Sequence, residues 1–316
     1  LSGSMNSRSA HMEANLQVPD ISYGGGHYKD VSVVVSSPNQ QLCADIQITK
    51  MGDDGIGADY RLEASAHDDQ LASVFSLDNH ARKQRLRGKL NAVVQFARGR
   101  NGQAEAHVGI ASSQLNVGYT VFAIHPATII YSRQRLEVND FAVTSGRQHI
   151  RIDGVTTREG DDSLLVDLNG VNVSYILDLV NFHAVEFSGY ASGRAYVSRL
   201  FSRPEARGRL RVDDFRFENG RLGTLHAQVG WDREKEQIDI DAQAVDTMHS
   251  GGPLPRPRLT TINGYVSPKR NYIDLGIEAD NTRGEFVRSF CSSFMNRADI
   301  DTRGQLRLWG DLNKLN

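Results

Sequence analysis

One phrase recurs three times in this chain, around Gly88, Gly193 and Gly304: an alternating strand, a short apolar turn read as helix, a linker, a glycine, and another alternating strand. The apolar turns are Leu71-Ala72-Ser73-Val74-Phe75, Tyr175-Ile176-Leu177-Asp178-Leu179 and Phe286-Val287-Arg288-Ser289-Phe290. Their last residues precede the glycines by 13, 14 and 14 positions (75 to 88, 179 to 193, 290 to 304), and successive glycines lie 105 and 111 residues apart. Self-similarity at a near-constant period marks stacked supersecondary units, each touching mainly its neighbours. The expected fold is all-β with short helices, an elongated repetitive body with units near 13–105, 106–208 and 209–316. Residues 1–12 (LSGSMNSRSAHM) read as a polar cloning tag, and the chain as a soluble fragment of a longer protein.

Within the units, apolar and polar residues alternate, the signature of strands with one buried face. Leu90, Ala92, Val94 and Phe96 alternate with polar neighbours, as do Ala104, Ala106, Val108 and Ile110, which predicts a hairpin across Arg98–Gly102. Further strands are expected at Leu115/Val117/Tyr119/Val121, Leu136/Val138, Ile150/Ile152, Val166/Leu168, Leu210/Val212, Leu225/Ala227/Val229/Trp231, Ile238/Ile240/Ala242/Ala244, Ile273/Leu275/Ile277 and Leu306/Leu308. Glu218-Asn219-Gly220, Ser145-Gly146 and Glu159-Gly160-Asp161-Asp162 fall between such runs and supply turn chemistry. Three prolines in Ser250–Arg258 lack ladder donors, so that stretch reads as a loop or edge segment. The helical turns are too short to stand alone and must dock on the sheet. Leu71, Phe75, Ile176, Leu179, Phe286 and Phe290 are therefore expected to plug its bends or ends, with Asp68/Asp69 and Asn172/Ser174 as helix N-caps.

With 36 basic and 38 acidic residues and no Lys/Arg block, nothing points to nucleic acid or an anionic membrane surface. Cys43 and Cys291 lie in different repeats without CxxC spacing, which argues against a disulfide framework or a zinc site. The ten histidines are scattered singly, without HExxH spacing, so no metal site and no cofactor is expected. Gly24–Gly26 is followed by His27-Tyr28 and not by GK[ST], and no GxSxG occurs. Asp239 and Asp241 would stand roughly 7 Å apart on one strand face, a spacing that suits a glycosidase. Ile238 and Ile240 on the opposite face make them what a solvated face requires. The residues favour a scaffold or binding surface over an enzyme.

Glu186–Val197 with Gly193, Pro204–Phe215 with Gly208, Leu222-Gly-Thr-Leu225, Trp231-Asp232 and Asp301–Leu312 with Gly304 and Gly310 resemble the TamB family of the AsmA-like group. The Leu222–Leu225 and Trp231-Asp232 wording is similar to the long TamB-like proteins of Bacteroidetes. The resemblance covers roughly residues 130–316 and marks an architecture, not an active site. It implies a periplasmic β-sheet curled into a groove with a hydrophobic lining, anchored in the inner membrane of a Gram-negative envelope and reaching toward a BamA-like outer-membrane barrel. It further implies phospholipid transfer and outer-membrane biogenesis. The candidate lining is Leu210, Val212, Leu225, Ala227, Val229, Ile238, Ile240 and Ala242, with the arginines Arg133, Arg135, Arg194 and Arg199 as possible polar interruptions. Two alternatives stand beside it: a β-repeat module binding carbohydrate or protein through exposed Tyr and Trp, and a polysaccharide-acting β-helix enzyme using Asp239 and Asp241.

Overall fold

The computed structural model of the protein describes residues 2–6, 11–23, 26–52, 55–81, 85–99, 102–175, 186–218, 220–249, 252–267, 269–283, 301–311 and 314–315. The chain is nearly all β and divides into two compact units, residues 1–146 and 147–316. The first carries β1 (Ser2–Asn6), β2 (His11–Tyr23), β3 (Gly26–Ser36), β4 (Leu42–Met51), β5 (Gly57–His67), β6 (Gln70–Asp78), β7 (Leu86–Arg98), β8 (Ala104–Ile110), β9 (Ser113–Val117), β10 (Thr120–Ile124), β11 (Ala127–Ser132) and β12 (Arg135–Ser145). The second carries β13 (Gln148–Thr157), β14 (Ser163–Asn172), β15 (Phe187–Ser198), β16 (Glu205–Phe217), β17 (Gly220–Asp232), β18 (Gln237–His249), β19 (Gly252–Ser267), β20 (Tyr272–Arg283), β21 (Asp301–Asp311) and β22 (Lys314–Leu315). The repeat boundaries expected at 105/106 and 208/209 fall within β8 and β16.

Each unit is built of antiparallel neighbours, because short polar turns return most alternating runs beside their predecessors; in the first unit β8 and β9 both pair with β7, and β10 and β11 both pair with β12, each couple acting as one interrupted strand. The expected hairpin forms as β7 and β8, with Phe96 opposite Ala106 and Arg98 opposite Ala104. Glu159–Asp162 lies between β13 and β14, and Glu218 follows β16, as the turn chemistry predicts. The run Leu115–Val121 is two strands and not one: Gly118 (φ 58°) and Tyr119 close a two-residue turn between β9 and β10. Glycine supplies the left-handed conformation there at no steric cost, which the alternation of Tyr119 with Val117 and Val121 conceals.

The first expected helix is corrected by the structure. Leu71 and Phe75 lie in β6, opposite Ala66 and Leu62 of β5 and Val94 and Leu90 of β7. Asp68, at φ 51°, and Asp69 form the two-residue turn from β5 to β6 instead of a helix cap. A five-residue apolar run fits both periods, and sheet partners on both sides decide for the strand. The second expectation holds at its start: residues 173–175 are helical, and Asn172 Oδ1 accepts a hydrogen bond from Ser174 N at 3.0 Å, an N-cap contact. Ile176, Leu179, Phe286 and Phe290 lie outside the described residues.

The proline segment is the edge segment that its missing donors predict. Gly252–Arg258 belongs to β19, but its pairing to β18 is broken by a bulge between Asp246↔Arg258 and Met248↔Pro253, and its pairing to β20 begins only at Leu259. The prolines are tolerated because a bulge and a one-sided ladder need few donors.

Register places the apolar parity on one face. In the first unit, Val94, Val108, Ile129 and Val138 stand side by side across β7, β8, β11 and β12, and Val138 is buried. The second unit holds the larger core, with Ala191, Val212, Phe215, Phe217, Leu222 and Leu225 at one end and Ile262, Ile273, Leu275 and Leu308 at the other.

Candidate functional site

In the second unit the eight residues expected to share a face do share one. Leu210, Ala227, Ala242, Ile262, Ile277 and Leu306 form one row across β16 to β21, each the register partner of the next. A parallel row runs Gly208, Val229, Ile240, Gly264, Leu275, Leu308, and another Val212, Leu225, Ala244, Thr260, Ala279, Gly304. Ile238 continues the face between Trp231 and Val266. Ladder pairing at period two brings every second residue of each strand to the same side, so alternation in sequence becomes a continuous strip in space.

The strip is on the inside of a bend. Flat neighbouring strands lie about 4.8 Å apart, so β17 and β20 would be separated by about 14 Å. Their Cα atoms instead approach within 8 Å. Small residues on this face allow it: Ala227, Ala242 and Ala244 are buried, and Gly208 and Gly264 offer no side chain. A Cβ at Gly208 would come within 3.0 Å of Ala195 Cβ and 3.1 Å of Val229 Cγ2, so the missing side chain permits the close approach that curvature requires. Between the two sides of the bend lies a cavity of about 180 Å³, lined by Phe187, Phe217 and Leu222 of β15–β17 and by Ile262, Ile277 and Leu306 of β19–β21. Phe187 stacks on Phe215 with ring centroids 5.9 Å apart, which fixes one wall.

The other face is wet and cross-strand paired. Arg194 Nε donates to Asp167 Oδ2 at 2.8 Å, and Arg307 Nε and Nη2 donate to the two oxygens of Asp274 at 2.8 and 2.7 Å. These guanidinium hydrogen bonds hold the Asp167 and Asp274 carboxyls below their ordinary pKa. Arg199 pairs with Asp161 and Glu205, and Arg135 with Glu137, and Arg133, Arg135 and Arg194 are exposed, so none of the four arginines interrupts the apolar strip. Asp239 and Asp241 are exposed on this wet face, with Gln237 Nε2 donating to Asp239 Oδ1 at 2.7 Å. Among the described residues no His/Cys/Asp/Glu cluster could hold a metal ion.

A charged group does face inward, at residues the sequence reading missed. Asp246 keeps the parity of Ala242 and Ala244 and its side chain is only 2% exposed. Arg221 Nη2 lies 3.8 Å from its Oδ1 and Arg258 Nη1 4.0 Å from its Oδ2, while Met248 N donates to Oδ1 at 3.3 Å. Continuing the alternation two places beyond Ala244 was the signal that would have found it. The β18–β19 bulge begins just past the Asp246↔Arg258 pair, where the buried carboxylate lies between two guanidiniums. The chain matches no family model, no curated protein and no solved structure.

Proposed function

We propose that the apolar face of residues 147–316 shields the acyl chains of phospholipid, as one segment of a periplasmic bridge of the TamB type that serves outer-membrane biogenesis. The full-length protein is then anchored in the inner membrane and meets a BamA-like barrel in the outer one. The observation that carries this reading is the register: Leu210, Val212, Leu225, Ala227, Val229, Ile238, Ile240 and Ala242 fall on one uninterrupted face on the inside of a bend. Exposing a lipid tail to water costs about 0.8 kcal/mol per methylene, so a carrier must cover the tail along its path, and repeated half-apolar strands do so without any bond-making group.

The test is Val229→Asp, a side chain half-buried on that face. Transfer of fluorescent phospholipid between vesicles is expected to be lost while the melting temperature stays within a few degrees. Undiminished transfer overturns the reading, and so does global unfolding, because a carboxylate that unfolds the unit was placed in a closed packed core.

A second reading has its own observation. On the wet face Tyr265 stacks on Tyr272 at 6.4 Å, Arg270 lies 5.6 Å over the Tyr265 ring, and Trp309 is 42% exposed. Such an aromatic platform suits a carbohydrate- or protein-binding module, and quenching of Trp309 fluorescence by envelope oligosaccharide would favour it.

A further inference from the structure

Outward positions of β19, β20 and β21 form a block of two rows on the wet face of the second unit. One row runs Tyr265, Asp274, Trp309 and the next Asn263, Gly276, Arg307, each residue the register partner of its neighbour. The middle of the second row carries no side chain. Gly276 has φ outside the left-handed region, and among the described residues only Asn263 O, at 3.6 Å, lies within 4 Å of a Cβ built there. Neither backbone conformation nor close packing requires glycine here. Its effect is to leave a notch between the exposed residues Asn263 and Arg307.

We infer that this notch binds a neutral sugar ring of a glycan chain, stacked against Trp309. The inference rests on the second reading above, from which it takes the aromatic platform, and is independent of acyl shielding on the opposite face. Trp309, 42% exposed, offers its indole to the C–H face of a pyranose. Tyr265 is the fixed wall beside it, with Arg270 over its ring and Tyr272 stacked on it. That wall is pinned from below: Arg270 Nε donates to Ser267 Oγ at 3.0 Å and Nη2 to Gln237 Oε1 at 3.1 Å, and Ser267 and Gln237 are buried. Between the aromatics, Asp274 and Arg307 hold each other through two hydrogen bonds, so acceptor lone pairs and further N–H donors stand side by side for neighbouring hydroxyls. Asn263 adds an amide that both donates and accepts. Charge selects the class of sugar. The Asp274–Arg307 pair is neutral, and exposed Asp241 and Glu278 flank the notch, one the register partner of Asn263 and the other the next outward residue of β20. A uronate, sialate or phosphate would face both carboxylates, so the block accepts a neutral ring and opposes an anionic one.

Titration of the protein with cellotetraose, chitotetraose and the anionic tetragalacturonate, read by tryptophan fluorescence and by calorimetry, tests this. A neutral tetraose is expected to bind saturably, and tetragalacturonate is not. Gly276→Val fills the notch without backbone strain and is expected to weaken the neutral ligand by about tenfold or more at unchanged melting temperature. Trp309→Ala is expected to weaken it by about tenfold and to remove the fluorescence change, and Asn263→Ala by about threefold to tenfold. Neutral binding that ignores Gly276→Val and Trp309→Ala, or tighter binding of tetragalacturonate, overturns the inference. Binding of none of the three overturns it too, and a photo-reactive residue at Asn263 then separates the two failures. Adducts with an envelope protein leave the platform reading standing; their absence removes that reading as well.

Discussion

Gly193 has φ of 152° and stands where a Cβ would strike Arg209 O and lie 2.9 Å from Leu210 Cα. Gly193→Val is therefore expected to cost about 1–3 kcal/mol in urea unfolding, whereas Gly304→Ala should change stability by no more than about 0.5 kcal/mol. Asp78, in the first unit, makes a pH prediction. Arg85 Nε and Nη2 donate to its two oxygens at 2.8 and 2.6 Å, and His80 N donates at 3.0 Å. The arginine contact foremost lowers the Asp78 pKa from 3.8 to about 2. A carboxyl whose pKa is depressed on folding binds fewer protons folded than unfolded, so its contribution is complete above the unfolded value and lost as pH falls through the folded one. The melting-temperature gap between the wild type and Asp78→Asn should hold near neutrality and close between pH 3.8 and about 2; a gap independent of pH in that window contradicts the assignment. At this scale the sequence was informative about parity and silent about exceptions to it. Val229 and Ile240 were readable as neighbours on one face, but the approach of Arg221 and Arg258 to the buried Asp246 was not, because it joins three strands that alternation alone does not align.

Among the elements, strands were legible and the short helices were not. Leu71–Phe75 carries as much alternation as helical spacing, and only its partners in β5 and β7 decide the matter. Because Phe75 is a strand residue 37% exposed, Phe75→Ala should cost about 1 kcal/mol, well below the penalty for a buried plug, while Phe217→Ala, at 3% exposed, should cost about 3–5 kcal/mol. Chemical denaturation of both variants checks the ranking, and equal losses would contradict it. The hairpin at Gly118-Tyr119 was hidden, whereas the edge position of the proline stretch in β19 was legible from its missing donors. A two-residue turn keeps the period of the strands it joins, and a bulge lets a strand pass residues that a regular ladder excludes.

For the second unit as a whole, the candidate face was legible because period-two patterning survives into space wherever register is regular, and the bend was not, because curvature depends on which face carries the small residues once strands are paired. Ala227, Ala242, Ala244, Gly208 and Gly264 are scattered in sequence and gather on one face only through the ladder. The central claim is that this inner face contacts acyl chains and the outer one does not. Photo-reactive residues at Val229 and Ile240, inside, and at Gln228 and Asp239, outside, measure it directly when the protein is irradiated in a Gram-negative envelope. Phospholipid adducts at Val229 and Ile240 with none at Gln228 and Asp239 are the predicted result; adducts equal on both faces, or absent from both, contradict it.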